Sequence, residues 1–489
     1  MIRTAIAIIV LLSSSLFPEV QKKSPSDKKP IVDKPTAKRS VELENLINDA
    51  RMLPAEFAVD ILVRLATSNK IDAKWKQEIL AEAFALTSNV QNKLPLKGKP
   101  GTPVDTRVNY RSYAFALNLD ALSLRSRIIS QMVLIDKAQA LRMLGQISPS
   151  FPFDTLSCSD QMVYNIGDFY TMLGTVTRAV YDEKEIQQGE RVQFLLPYIE
   201  GITSPAQIAP VSRMIRSLNL ADKELFILTQ AFAGALKQIT ADDRSFTAAL
   251  TQDKTGAYVF ELIQEVRKEG GAYNEVANAF RSYVSEHLRG VRCEDNVKEP
   301  ATELPHHIKE LNYYFPNTPF TLEDLRPSKV EKGSAIPEYF ESKDAAKLSN
   351  DFKDLRGYDD EPDTKEPETS SAWQERMLNY LRQLEDWDGR GESSEIDYFH
   401  QKCVLYFALA KLVTGGPMGE RVMTSYINFL YQPTILKESR IEWQLHAREL
   451  LGLVQARKGE ERAKLLDSFV YSKNPILQMQ ARLISANIR

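Results

Sequence analysis

One thirteen-residue stretch, Pro54-Ala-Glu-Phe-Ala-Val-Asp-Ile-Leu-Val-Arg-Leu-Ala66, limits the folds open to this chain more than any other. Glu56, Asp60 and Arg64 fall at successive i, i+4 steps and make one narrow polar stripe. Phe57, Ala58, Val59, Ile61, Leu62, Val63 and Leu65 cover nearly all the rest. A helix apolar over most of its circumference has to be buried on more than one side. After a short Ser-Asn-Lys turn, Trp75, Ile79, Leu80, Ala83, Phe84 and Leu86 recur at helical spacing and supply a partner. Two helices on a short connection pack antiparallel, and a pair with apolar surface left over requires another pair beside it.

The rest of the chain supplies such pairs. Glycine is scarce, 21 of 489 residues or about 4% against an average of roughly 7%, which favours helix over sheet. From Val41 to about Arg289 the periodicity predicts a run of helices, interrupted at Pro95–Pro103 and at Ser148–Pro152. One helix is expected to start near Ser159 and end near Val180, and others to cover 221–238, 255–268 and 272–289. Ser204-Pro-Ala-Gln207 reads as a helix start, because Ser can cap free amides, Pro suits the first turn and Gln207 can reach back. Between Gly290 and Ser370 prolines leave room only for short helices near Pro305–Leu311 and Pro337–Leu355. That segment ends in the acidic run Asp359–Glu368, read as a solvated linker. Helix resumes with a capping-box spacing at Ser371-Ala-Trp-Gln374, and pairs follow to the carboxyl terminus.

The expectation is an all-α protein of helical-hairpin repeats. It has an N-terminal helical domain (41–289), an irregular Pro-rich and acidic segment (290–370) and a C-terminal helical-repeat domain (371–489). The length of the pairs resembles the helix hairpins of HEAT- and TPR-type α-solenoids. The resemblance is one of spacing, since no unit carries the TPR Trp/Leu-Gly/Tyr/Ala/Pro signature.

The amino terminus carries an address. Met1-Ile-Arg3, the apolar run Thr4–Leu12 and the small residues Ser13-Ser-Ser15 have the three-part form of a secretory signal peptide, assigned here to residues 1–17. The apolar run is shorter than the roughly 18 to 20 residues that a spanning helix needs, and Pro18 closes it. Residues 18–40 hold four prolines and seven basic against three acidic residues, the composition of a disordered tether. No Asn-x-Ser/Thr acceptor occurs, which points toward a bacterial exporter. An exported protein, periplasmic or extracellular and not integral to the membrane once cleaved, is expected. A net charge of −3 offers no global electrostatic case for nucleic acid.

Three clusters are candidate sites. Asp386, Asp388 and Asp397, with Gly391 between them, occupy positions 1, 3, 12 and 6 of an EF-hand-like loop that would take Ca²⁺. Arg390 and Ser393 depart from that pattern, Asp397 is shorter than the usual bidentate Glu, and an acidic helix–helix loop is the alternative. His306 and His307 with Glu303 and Glu310 have i+3 and i+4 spacings that could share a metal, or form an exposed short helix. In an oxidising compartment Cys158 and Cys293 could form a disulfide, with Cys403 left as a core thiol; three free thiols is the alternative. Asp359-Asp-x-x-Asp363 matches the letters of the isoprenoid-synthase metal motif, but Pro362 lies inside it and its surroundings are linker. His287, His400 and His446 stand singly on helices and read as packing or surface residues.

No stretch identifies a reaction. The expected function is non-catalytic: a scaffold that binds a protein or other envelope macromolecule along a groove, with no required cofactor. The alternatives are an exported all-α enzyme of (α/α)-toroid type acting on carbohydrate, and a small-ligand or lipid carrier. The enzyme would need paired carboxylates and aromatic platforms, and two of the four tryptophans (Trp75, Trp373, Trp387, Trp443) look like core residues.

Overall fold

The computed structural model describes residues 39–90, 111–147, 162–239, 245–251, 253–268, 273–293, 303–326, 329–331, 342–356, 370–392, 395–413, 415–431, 440–470 and 475–485. The protein is all-helical. Among the described residues the only strands are the three-residue β1 (Val291–Cys293) and β2 (Lys329–Glu331), paired in parallel.

The chain opens with α1 (Val41–Arg51), α2 (Ala55–Ala66) and α3 (Ala73–Leu86). Pro54 precedes the first turn of α2, and Asp72 caps α3 by accepting the Trp75 amide at 2.9 Å. All of α2 except Ala55 and Arg64 is buried, so its polar stripe faces protein and not solvent. Helices α4 (Tyr113–Leu117), α5 (Ala121–Met132) and α6 (Lys137–Leu144) follow. The periodicity running through Tyr113, Leu117 and Leu122 conceals a break. Asn118 adopts the left-handed conformation (φ 54°), which Asn tolerates better than most residues, and Asp120 then caps α5. Helix α7 (Ile166–Val180) starts at Ile166 and not near Ser159, because Asn165 caps it through the Gly167 amide.

Next come α8 (Glu183–Gln187), α9 (Glu190–Glu200), α10 (Ile208–Ser217), α11 (Asp222–Leu236), α12 (Ser245–Thr251), α13 (Thr255–Lys268) and α14 (Tyr273–Leu288). The Ser204–Gln207 start signal forms as read: Gln207 Oε1 accepts the Ser204 amide at 2.9 Å ahead of α10. One row of neighbours runs α2, α5, α7, α10, α13, each packed on the next, and a second joins α9, α11 and α14.

Helices α15 (His306–Tyr314), α16 (Lys343–Arg356), α17 (Ser371–Asp386), α18 (Glu395–Leu412), α19 (Gly416–Leu430), α20 (Arg440–Ala456), α21 (Gly459–Val470) and α22 (Pro475–Ser485) complete the chain. The cap of α17 is Ser370, one residue before the predicted Ser371; its Oγ accepts the Trp373 amide at 3.0 Å. The acidic run 359–368 and the break at 95–103 lie outside the described residues. Val41–Arg489 forms one compact unit. In it, α22 packs on α1 and α20 on α22, so the last helices of the chain extend the row begun by α2 at its opposite end from α5. All four tryptophans are buried, not only two. No helix among the described residues is long and apolar enough to cross a membrane.

Candidate functional site

The polar stripe of α2 becomes the centre of a cleft. Asp60 is completely buried, and a buried carboxylate has to be paired or lose its charge. Arg127 of α5 donates from Nη1 to Asp60 Oδ1 at 2.8 Å, and Arg448 Nη1 of α20 stands 3.2 Å from Oδ2. Arg64, one turn along α2, donates to Gln480 Oε1 of α22 at 2.6 Å. Burial pushes the Asp60 carboxyl upward, but Arg448, Arg127 and Arg64 together outweigh it and hold the group below its ordinary value. The Arg64 guanidinium is lowered by its own burial, against the attraction of Asp60. Asp60 therefore stays ionised, with three cations from three helices around one anion.

A second polar group closes the floor where α4, α5 and α7 meet. Asp120, also fully buried, accepts from the amide of Ser123 at 2.8 Å and its hydroxyl at 2.6 Å. Burial raises the Asp120 carboxyl to about 6 despite these bonds. Asn165 Nδ2 donates to Asn118 Oδ1 at 2.7 Å and ties the left-handed turn to the start of α7. Asp168 follows in the first turn of α7. Burial raises it, while Arg127 and the Ser123 hydroxyl pull it down.

Between α2, α5, α7, α20 and α22 lies a cavity of about 700 Å³. Its charged walls are Asp60, Arg64, Arg127, Asp168 and Arg448, three cations against two carboxylates. Two buried donors on these walls, Arg127 Nε and Gln480 Nε2, have no hydrogen-bond partner among the described residues, while Arg448 Nη1 and Asp60 Oδ2 face each other as an ion pair. Buried donors are normally satisfied, so an unmatched set on a cavity wall marks where a ligand acceptor fits. No His, Cys, Tyr, Phe or Trp is among the described residues lining the cavity.

The clusters singled out in the sequence lie elsewhere. Asp388 is occupied by Arg390, whose amide and Nε donate to its carboxylate at 3.1 and 2.6 Å. Asp386 is exposed at the end of α17 and Asp397 lies in the first turn of α18. Between them Gly389 has φ +78°, and a Cβ there would meet the Tyr398 ring at 2.5 Å. Lys402 Nζ closes the same corner from below, donating to the carbonyls of Trp387 (2.6 Å) and Glu385 (3.2 Å). On α15 His306 is exposed, His307 half-buried, and Glu310 accepts from the Tyr314 hydroxyl at 3.2 Å. Among the described residues no three His, Cys, Asp or Glu side chains stand together as a metal site. Cys158 and the run Asp359–Asp363 lie outside the described residues, Cys293 sits in β1, and Cys403 is a buried thiol pushed up by burial. His400 and His446 are not isolated: Nδ1 of the first and Nε2 of the second are 2.7 Å apart in the core.

Sequence reasoning found Asp60 and Arg64 as a stripe but not as a site. The usable signal was an acid and a base one turn apart on a helix whose only other polar residue is Glu56. Their partners Arg127, Arg448 and Gln480 carry no motif. No protein-family model, curated protein or solved structure matches the chain.

Proposed function

We propose that the chain is an exported, non-catalytic binding protein of stacked helix pairs that holds an anionic group of its ligand in the cleft around Asp60. The observation that carries this reading is the charge count on the cleft walls: three guanidiniums, two carboxylates and unmatched donors on Arg127 and Gln480. An unbalanced buried cation is costly, and a bound anion relieves the cost. The volume suits a small molecule or the charged end of a larger partner. The signal-peptide pattern of residues 1–17 supports export, and the row α2, α5, α7, α10, α13 supports the repeat reading.

The carbohydrate-enzyme reading has one point in its favour, since Asp60 and Asp168 line the same cavity and are shifted in opposite directions. Yet Asp60 has no exposed surface and is held between Arg127 and Arg448, so it cannot reach a substrate. A single available carboxylate is not the pair that glycoside hydrolysis requires. The test is a thermal-shift titration of the full chain with inorganic phosphate, beside an Arg448→Gln variant. A saturable rise in Tm confined to the unaltered protein is expected. An equal rise in both would reflect general salt stabilisation and sink the anion-site reading.

A further inference from the structure

We infer that the cleft is built for a compact hydroxylated carboxylate of sugar-acid size, and this rests on the anion-binding reading above. The charge balance selects the valence. Three cations against two carboxylates leave a surplus of one, which a monoanion neutralises and a dianion or polyanion overshoots. Arg127 and Arg448 approach Asp60 from different helices, and Arg127 retains a buried Nε–H without an acceptor among the described residues. Guanidinium forks of this kind match the two oxygens of a carboxylate.

The neutral walls select the remainder of the ligand. Four hydroxyls line the cavity, those of Thr67, Ser126, Ser130 and Thr171, and three of them have already given their hydrogen to their own helix. Thr67 Oγ1 donates to the Arg64 carbonyl at 2.7 Å, Ser126 Oγ to Leu122 at 2.8 Å and Thr171 Oγ1 to Gly167 at 2.8 Å. What these oxygens still offer is lone pairs alone. A ligand that satisfies them has to bring donors of its own, as hydroxyl groups do. Gln480 presents the opposite need: its Oε1 is taken by Arg64, and its buried Nε2 awaits an acceptor. A chain of hydroxyls ending in a carboxylate supplies both. With no aromatic ring among the described lining residues, those walls give no stacking platform for a nucleobase or for the face of a neutral pyranose.

The experiment is calorimetric titration of the full chain with D-gluconate and D-glucuronate. The comparison probes are acetate (charge without hydroxyls), glucose (hydroxyls without charge), glucose 6-phosphate (a dianion) and alanine (a zwitterion). At least one sugar acid should bind ten times or more tightly than every comparison probe. Arg448→Gln should abolish that binding. Thr171→Val, which keeps the side-chain shape, should weaken the sugar acid about tenfold and leave acetate unchanged. Acetate or inorganic phosphate binding as tightly as the sugar acids would overturn the hydroxyl assignment while the anion cleft stands. Preference for alanine or for glucose 6-phosphate would overturn it too. Binding of none of the anions would remove the anion cleft itself.

Discussion

Two buried ion-pair sites in this molecule differ in one respect that separates a structural staple from the proposed binding site. Between α9 and α11, Arg191 and Glu224 are both almost fully buried and pair one to one. Arg191 donates from Nε and Nη2 to the two carboxylate oxygens and from Nη1 to the Leu218 carbonyl. Glu224 also accepts the Ala221 amide. Neither side chain has a buried atom left without a partner. Around Asp60, by contrast, three guanidiniums share one buried carboxylate, donors are left over and the space beside them is open. Charge stoichiometry, more than burial or distance, tells the two apart.

The sharpest way to break the contrast is Asp60→Asn, which leaves three guanidiniums with no buried counter-charge. Urea unfolding should report a loss of about 5 kcal/mol, partly restored by phosphate, because an added anion can take the place of the missing carboxylate. Arg191→Met should cost about 3 kcal/mol by stranding Glu224, and phosphate should restore none of it. Adding Glu224→Gln, which keeps an acceptor for Ala221, should return most of that loss.

The third test uses pH. Asp120 sits at about 6 in the folded protein, against about 3.9 in an unfolded chain. Between those values the folded state holds the proton more tightly, so this group's contribution to stability is fully present below about pH 4 and is lost as pH rises through 6. The change is about 3 kcal/mol. Asp120→Asn preserves the cap on α5 and should flatten that slope in denaturation midpoints measured from pH 4 to 7. The smallest effect is expected of Arg448→Gln without ligand. It removes one of the two guanidiniums flanking the buried Asp60 carboxylate but leaves Arg127 and Arg64 beside it, so the loss of stability should be smaller than for the variants above, while the phosphate response disappears. A large loss of stability would class Arg448 with the staple.

The fold was legible in the sequence wherever local rules decide it. Ser204–Gln207, the α2–α3 hairpin and helices α11, α13 and α14 follow from capping groups and 3.6-residue periodicity, which act within a few residues. The break at Asn118 was not legible, because apolar spacing continues across it and only the left-handed turn separates α4 from α5. The site was half legible. Asp60 and Arg64 stand out on α2 because Glu56 is the only other polar residue there. Arg127 and Arg448 look like any surface arginine of an amphipathic helix until α5 and α20 are brought to α2. Local charge patterns misled for the same reason. Asp386, Asp388 and Asp397 are close in sequence, yet their corner is organised by Lys402, Tyr398 and Arg390, and only a packed helix corner reveals that.

The cleft joins Asp60 on α2 to Gln480 and Ile484 on α22, so its walls come from nearly opposite ends of the chain. On a ribosome adding about 5–20 residues per second, roughly 20 to 85 seconds separate the synthesis of Asp60 from that of Ile484. Throughout that interval α1 lacks the helix that covers it, and the carboxylate of Asp60 lacks Arg448. The nascent protein thus carries an apolar, half-neutralised surface that a chaperone can hold. On the proposed reading, ligand binding would report that translation has run to α22, since a chain cut short before it lacks Gln480 and Ile484 of the cleft.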